Sequence, residues 1–540
     1  AMRYPNKAAV VFFDAVLTYG ELARQVDSMA AYLQSLGLAK GERVLLLMQN
    51  SPQWVVAHFA ILRANAVVVP VNPMNRAHEL SHYICDAQAA FAVVSADLAG
   101  FLAKADFSLQ PDEQLRHVVV AHIGGVLDAT SDGFAAEVPT AWVPWLSDVI
   151  DPPQWAQAGH HSWAQAIYYE GLPQALTAGP SDLAVLPYTS GTTGLPKGCM
   201  HTHASVMHNA VASSYWGNST AEVVSLIVVP MFHITGMVSG MHAAVFGGAT
   251  MVVMPRWNRD LAGRMISKWR VTHWTNIPTM IMDLLASPNM SSYDLSSLKY
   301  IGGGGAAMPQ AVAQRLFDEF GLRFAEGYGL TETAAPSHSN PPLATKQQCL
   351  GVPFIGVRSM VVDPETLLPL PQGEAGEIVI NGPMVFQGYW RCPQATADAF
   401  VDIEGVRYFR SGDLGRMDED GYYFMTDRLK RMINASGFKV WPAEVEALMF
   451  KHPSVAEACV IGVPDAYRGE NVKVFVVLRA GHSVSEQDLL SWCHEEMAVY
   501  KAPRLLEFLD ELPKSGSGKV MWRALQEQAK EDAKSGATAT

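Results

Sequence analysis

Short apolar runs recur through the first four hundred residues at strand length, with helical spacing between them. Residues 44–48, 66–69, 92–94, 118–121 and 185–187 are nearly unbroken in apolar character, as expected of strands covered on both faces. Their alternation with helical patterns predicts an α/β fold with parallel sheets. The longest uncharged stretch, 223–255, divides into strand (223–229), loop (230–235), helix (236–246), a Gly247-Gly248 stop and strand (249–254). Pro230, His233, Gly236 and Gly240 interrupt it, so it reads as a buried βαβ-like unit and not as a membrane span. Residues 123–158, rich in Gly, Asp, Pro and Trp without a period, read as surface loop.

From about 356 the pattern changes to strand and turn. Residues 360–362, 377–380 and 406–409 predict a small β-rich subdomain spanning about 356–429. Beyond Lys430 it changes again. Pro442 suits the first turn of a helix to about 451, and strands follow at 458–463 and 472–478. Ser485 with Asp488 resembles a weakened capping box for a helix through 497, and 505–509 closes the unit as a strand. The expected architecture is α/β: a large N-terminal domain (1–429) of layered α/β subdomains plus the β-rich subdomain, then a small mobile α+β domain (430–540). No internal repeat is read.

A chain of 540 residues exceeds one compact core, and 49% hydrophobic with 17% charged residues is globular composition. The net charge of −13 without a Lys/Arg-rich block excludes nucleic acid as an expected partner. The six cysteines show no close pairing, which with the lack of a secretory signal points to the cytoplasm. Cys199-Met-His201-Thr-His203 has some metal-ligand character, but no second ligand cluster completes it, so it reads as structural.

Candidate chemistry begins at Tyr188-Thr-Ser-Gly-Thr-Thr-Gly-Leu-Pro-Lys-Gly198. Ser190, Thr192 and Thr193 supply hydroxyls, Gly191, Gly194 and Gly198 let backbone N–H groups approach anionic oxygens, and Lys197 adds charge. A Walker A loop would need Gly at Pro196 and Ser or Thr at Gly198, so that reading fails at two positions. A second glycine-flanked lysine, Lys519, sits in Pro513-Lys-Ser-Gly-Ser-Gly-Lys519.

The Tyr188–Gly198 run resembles the signature loop of the adenylate-forming superfamily: acyl-CoA synthetases, peptide-synthetase adenylation domains and luciferases. Further matches follow in that superfamily's order: Pro230-Met-Phe-His233, Gly303-Gly304-Gly305-Ala306, Tyr328-Gly-Leu-Thr331-Glu332, Tyr408-Phe-Arg-Ser-Gly-Asp413, Asp427-Arg428-Leu-Lys430, Ser436-Gly437-Phe438-Lys439-Val-Trp-Pro442 and the Lys519 loop. The likeness covers nearly the whole chain and is greatest to fatty-acyl-CoA ligases. It implies ATP-dependent activation of a carboxylic acid to acyl-AMP, then transfer to the thiol of coenzyme A.

By that resemblance Thr189, Ser190, Gly191, Thr192, Thr193, Gly194 and Lys197 face the phosphates. Glu332, with Thr189, would hold Mg²⁺, a hard cation that takes oxygen ligands. Thr331 would touch the α-phosphate, Tyr328 would stack on adenine, and Gly303 to Ala306 would admit adenine and the acyl group to the backbone. Asp413 would bind the ribose hydroxyls with help from Arg428. Lys519 would stabilise charge during adenylation, Lys430 would be the hinge, and Gly437, Phe438 and Lys439 would pass the pantetheine arm. His233 would gate the carboxylate site, with a buried structural histidine as the alternative.

The acid pocket is expected from 233–241 and 274–279. Met231, Met237 and Met241 offer adaptable apolar surface, Gly236 and Gly240 leave space, and Trp216 or Trp274 would shorten the tunnel. These segments hold no Arg or Lys to pair a second carboxylate. A medium- or long-chain fatty acid is the first reading and an aryl or arylalkanoic acid the second. A peptide-synthetase domain is disfavoured because no carrier domain follows Lys519, while the motifs alone do not separate a luciferase-like oxygenase. A non-catalytic acyl-nucleotide sensor would be expected to lose Lys519, Glu332 or Arg428, and all three are present. A homodimer is left open.

Overall fold

The computed structural model describes every residue except 149, 152, 156–157, 190–195, 306, 429–430, 432, 436–437, 441, 466–468, 498–500, 515–519 and 538–540. The chain divides into two compact units, 1–359 with 380–409, and 360–379 with 410–540.

Two largely parallel sheets build the first unit. One runs, in spatial order among the described residues, His201–Thr202, Leu183–Val185, Val67–Pro70, Arg43–Leu47, Phe91–Ser95, His117–Ala121, Gly159–Ser162. Its runs of valine and leucine are buried on both faces, which explains why they show no alternation. The other runs Val352–Pro353, Ala335–Ser339, Phe324–Leu330, Tyr300–Gly304, His273–Asn276, Val224–Ile227, Thr250–Val253, Ala8–Phe12, Ala15–Thr18. In each, the chain leaves one central strand for a neighbour on one side and later returns to its other side. These strands are Arg43–Leu47, between Val67–Pro70 and Phe91–Ser95, and Val224–Ile227, between Thr250–Val253 and His273–Asn276. Such a reversal opens a crevice at the strands' carboxyl ends, where α/β sheets bind ligands.

The unit expected across 223–254 is present as parallel strands joined by a helix. The helix differs from expectation: Thr235–His242 winds as a π-helix before Ala243–Gly247 becomes α-helical. Gly236 is needed here, since a Cβ would lie 2.2 Å from the Pro230 carbonyl oxygen and 2.6 Å from that of Val229. The space at Gly236 is therefore filled by backbone and does not belong to a pocket, which corrects the reading above. The segment 123–158 is also not plain loop. Ile123–Val126, Asp132–Glu137, Thr140–Trp142 and Val143–Ser147 are helical turns too short to show a period. Among the described residues, no helix is long and apolar enough to cross a membrane.

In the second unit, Val455–Asp465 pairs antiparallel with Gly469–Leu478, beside which Leu505–Phe508 runs parallel. Period-2 alternation gives this sheet two cores. Val460, Val474 and Val476 pack with Val445, Met449 and Leu489, whereas Ile461 and Phe475 pack with Leu525 and Ala529. The three helices responsible are Pro442–Met449, Glu486–Glu496 and Trp522–Ala537. The first begins at Pro442 as expected, and Ser485 caps the second by accepting from the Asp488 N–H at 3.1 Å.

Candidate functional site

Four neighbouring parallel strands of the larger sheet end on one edge, and the loops that follow them carry several of the singled-out residues. Val224–Ile227 leads to His233, His273–Asn276 to Pro278, Tyr300–Gly304 to Gly305, and Phe324–Leu330 to Thr331 and Glu332.

Thr331–Thr333 form a single 3₁₀ turn, followed by Ala334 and Ala335 at positive φ (49° and 82°). Such backbone is costly for non-glycine residues and persists only where its surroundings hold it. Here they do. The Asn209 amide donates to the carbonyls of Thr333, Ala334 and Pro336 at 3.0, 2.9 and 3.1 Å. His201 Nε2 donates to the Thr331 carbonyl at 2.7 Å, and burial pushes the His201 pKa down to about 4, so the ring stays neutral. His201 is thus a structural brace, in line with the structural reading of 199–203, with Cys199 a fully buried thiol beside it.

Glu332 is buried at the centre of this frame, and its Oε1 accepts from the Tyr389 hydroxyl at 2.8 Å. Lys197 Nζ lies 5.3 Å from the Tyr389 ring centroid, a cation–π contact. Burial, then the neighbouring Glu332 carboxylate, pushes the Tyr389 hydroxyl far above its usual pKa, so it remains a donor. Thr189 is the cross-strand partner of Lys197 in the short hairpin Tyr188–Thr189/Lys197–Gly198, which closes the base of the loop 190–195. Lys197 and the buried Glu332 carboxylate therefore share one neighbourhood through Tyr389. Sequence reasoning missed that residue. It reaches the loop because 386–390 runs alongside 198–200, with Met200 N–H donating to Gly388 O at 3.0 Å and Trp390 N–H to Gly198 O at 2.8 Å. A Gly-Tyr-Trp run carries no signal of a partner so distant in the chain.

Ser190, Gly191, Thr192, Thr193 and Gly194, with Ala306, Lys430, Gly437 and Lys519, lie outside the described residues. Gly303 and Gly304 adjoin strand backbone: a Cβ would meet the Asn276 carbonyl oxygen at 1.7 Å and that of Gly327 at 2.1 Å. Gly305, at φ +88°, has open space. Tyr328 is buried with its ring 5.7 Å from that of His338. His233 is exposed, which removes the buried structural histidine as its alternative. Asp413 and Arg428, in the second unit, are cross-strand partners, and Asp413 is buried with its N–H donating to Ser411 Oγ at 3.0 Å. Phe438 and Lys439 lie on Phe438–Val440, where Lys439 pairs with Asn434.

The expected tunnel walls separate. Met231, Met237 and Met241 are fully buried. Trp274, however, stacks on Trp257 at 5.8 Å and lines an apolar cavity with Ile281, Leu284 and Leu316. Its neighbour His273 points to the other sheet face, donating to Gly217 O at 2.8 Å. Trp274 thus faces away from the helix His203–Trp216, at whose end Trp216 donates from Nε1 to Asn340 O at 3.0 Å.

Glu326, on the Tyr328 strand, is buried and accepts from the Gln348 N–H at 2.9 Å. Burial outweighs two backbone hydrogen bonds and raises its pKa from 4.5 to about 7. The folded state therefore keeps this proton where the unfolded chain has lost it, and stability falls as pH rises through that window. The full effect is on the order of 3 kcal/mol. Glu326→Gln is expected to be more stable than the parent at pH 8, with the gap closing below pH about 4.5. Urea denaturation at both pH values checks this, and a pH-independent gap would contradict it.

The AMP-binding enzyme family model matches residues 1–390, and the model for the AMP-binding enzyme C-terminal domain matches 444–519. A long-chain-fatty-acid–CoA ligase of Bacillus subtilis (strain 168) is 32% identical, covering 98% of this chain and 93% of its own length. A feruloyl-CoA synthase of an Amycolatopsis species is 34% identical over 96% of this chain and 95% of its own. Among solved structures, an anthranilate CoA ligase in complex with anthranoyl-AMP superposes with a TM-score of 0.81 at 27% identity, covering 98% of this chain and 96% of that one.

Proposed function

We propose, from the premise that this chain belongs to the AMP-binding enzymes and is an ATP-dependent acid–CoA ligase, that its acid is a medium- or long-chain fatty acid. The observation that carries the assignment of the reacting centre is the Glu332–Tyr389–Lys197 neighbourhood. In the first half-reaction the carboxylate oxygen attacks the α-phosphorus of ATP and pyrophosphate leaves. In the second, the CoA sulfur attacks the acyl carbonyl, loses its proton, and AMP leaves.

Phosphoryl-type transfer depends on positioning and charge neutralisation, and the proposed roles follow from that. Ser190, Gly191, Thr192, Thr193, Gly194 and Lys197 cradle the phosphates, and Thr331 meets the α-phosphate. Tyr328 and 303–306 take the adenine, Asp413 and Arg428 the ribose. Lys519 contributes a cation to adenylation, Lys430 is the hinge, and 437–439 serve CoA. Among the described residues no group of three or more His, Cys, Asp or Glu could hold a metal. That suits Mg²⁺, which binds through one or two carboxylates plus substrate phosphates. Glu332, with Thr189 nearby, fits as its protein ligand, and Mg²⁺ would neutralise phosphate charge there. All six cysteines are thiols, which supports a cytoplasmic setting.

Buried Met231, Met237 and Met241, on the same segment as His233, support an apolar acyl group. An aryl acid is the second reading, favoured by the feruloyl-CoA synthase relative. Acid-dependent ATP–pyrophosphate exchange across fatty, cinnamic and benzoic acids, with and without CoA, tests both. Aliphatic acids are expected to give the highest kcat/KM, and a preference of about tenfold or more for an aryl acid would replace the first reading with the second.

A further inference from the structure

Both sheets of the first unit have a switch strand, and one side chain ties their ends together. Asn50 follows Arg43–Leu47, and Val229 to Met231 follow Val224–Ile227. The Asn50 side chain is buried, its Nδ2 donates to the Val229 carbonyl at 3.2 Å, and its Oδ1 accepts from the Met231 N–H at 2.7 Å. An amide making both bonds fixes the loop in two directions, as a strand neighbour would.

Gly236 packs directly against the same loop: a Cβ there would lie 2.2 Å from Pro230 O and 2.6 Å from Val229 O. It carries His233, whose N–H donates to Pro230 O at 3.0 Å and whose carbonyl accepts from the Met237 N–H at 3.0 Å. The element behind Asn50 is rigid. Ser51 caps the helix Pro52–Arg63 by accepting from Trp54 N–H at 3.1 Å, and Gln53 donates to His122 O at 2.7 Å. Further along, His58 Nε2 and His242 Nε2 share a hydrogen bond at 2.7 Å, gripping the far end of the π-helix. Burial keeps His58 and His242 below the usual histidine range, so this bond joins two neutral rings.

We infer that Asn50 is a positioning residue for the acid half of the site: it sets the height of the loop that carries His233. The inference rests on the proposed ligase function, with His233 gating the carboxylate site as the family resemblance implies. Asn50 touches no reacting atom in this account and acts through the loop. Removing it leaves Val229 O and Met231 N–H unpaired in a buried place, and the loop must move to find partners. A displacement of about 1 Å in a positioning element can cost on the order of 10²-fold in rate.

The test is a double-mutant cycle on the full chain, with Asn50→Ala, His233→Ala and the double variant, reading kcat/KM for the acid and KM for ATP separately. Asn50→Ala is expected to lower kcat/KM for the acid by about 10- to 100-fold while KM for ATP stays within about twofold. In the His233→Ala background the same change should cost less than about threefold. Additive losses, or equal losses for acid and ATP, overturn the inference. If His233→Ala by itself leaves acid kinetics unchanged, the reading of His233 fails, and Asn50 falls with it for a separately visible reason. Should Asn50→Ala not fold, Asn50→Ser decides the same cycle, since its hydroxyl can replace one of the two bonds.

Discussion

Replacing Lys519 by alanine is expected to lower acyl-AMP formation by about 10²–10³-fold or more while sparing most of the reaction of preformed acyl-AMP with CoA. The asymmetry follows from charge. Adenylation brings an anionic carboxylate to an anionic phosphorus centre, so a preorganised cation acts mainly on that step. Thiolysis of the acyl-AMP develops charge on the acyl carbonyl and releases AMP, and needs no cation at the same point. The residues flanking 515–519 are tied to each other. Lys514 and Val520 form an isolated antiparallel bridge, and Met521 N–H donates to Pro513 O at 2.7 Å. Gly516 and Gly518 within that segment are permissive. Pyrophosphate release measures the first half and single-turnover thioester formation from synthetic acyl-AMP the second. Equal loss in both would remove Lys519 from its proposed role. Lys519→Arg is expected to recover only part of the rate, because a planar fork does not replace a compact ammonium.

Much of this architecture is legible in sequence because burial on both faces leaves a strong mark. The continuous apolar strands, the Gly-Gly stop at 247–248 and the capped helix at Ser485 all reflect local chemistry, and the motifs single out Thr331, Glu332 and Lys197 as candidates without any contact information. What escapes is tertiary. Gly236 reads as space in sequence, yet the Pro230 carbonyl occupies that place. Trp274 reads as a tunnel wall because it adjoins the pocket segment, but strand alternation turns it to the other face, against Trp257. Tyr389 and Asn50 are invisible for a related reason: each acts on a loop more than 50 residues away through bonds no local pattern encodes. The short helices in 123–158 carry too few turns to display a period.

Glu332→Gln is the second large effect expected: acyl-AMP formation should fall by about 10²-fold or more, and the Mg²⁺ concentration needed for half-maximal rate should rise. The substitution is close to isosteric, and its frame does not depend on the charge. Phe386 N–H donates to the Glu332 carbonyl at 2.9 Å, His201 holds Thr331, and Asn209 holds 333–336. A glutamine can still accept from Tyr389, so thermal stability should stay near that of the parent or rise, since a buried carboxylate costs more to desolvate than an amide. Tyr389→Phe supplies the matching control. It removes the 2.8 Å hydrogen bond but leaves the charge, and is expected to cost no more than about tenfold, with the Mg²⁺ dependence little changed. Thioester formation from preformed acyl-AMP should survive both changes, because that step involves no pyrophosphate. A Glu332→Gln enzyme that keeps the parent's Mg²⁺ titration would mean that the carboxylate supports the turn rather than the metal, and the neighbourhood of Lys197, Tyr389 and Glu332 would then be a folding device beside the reacting centre.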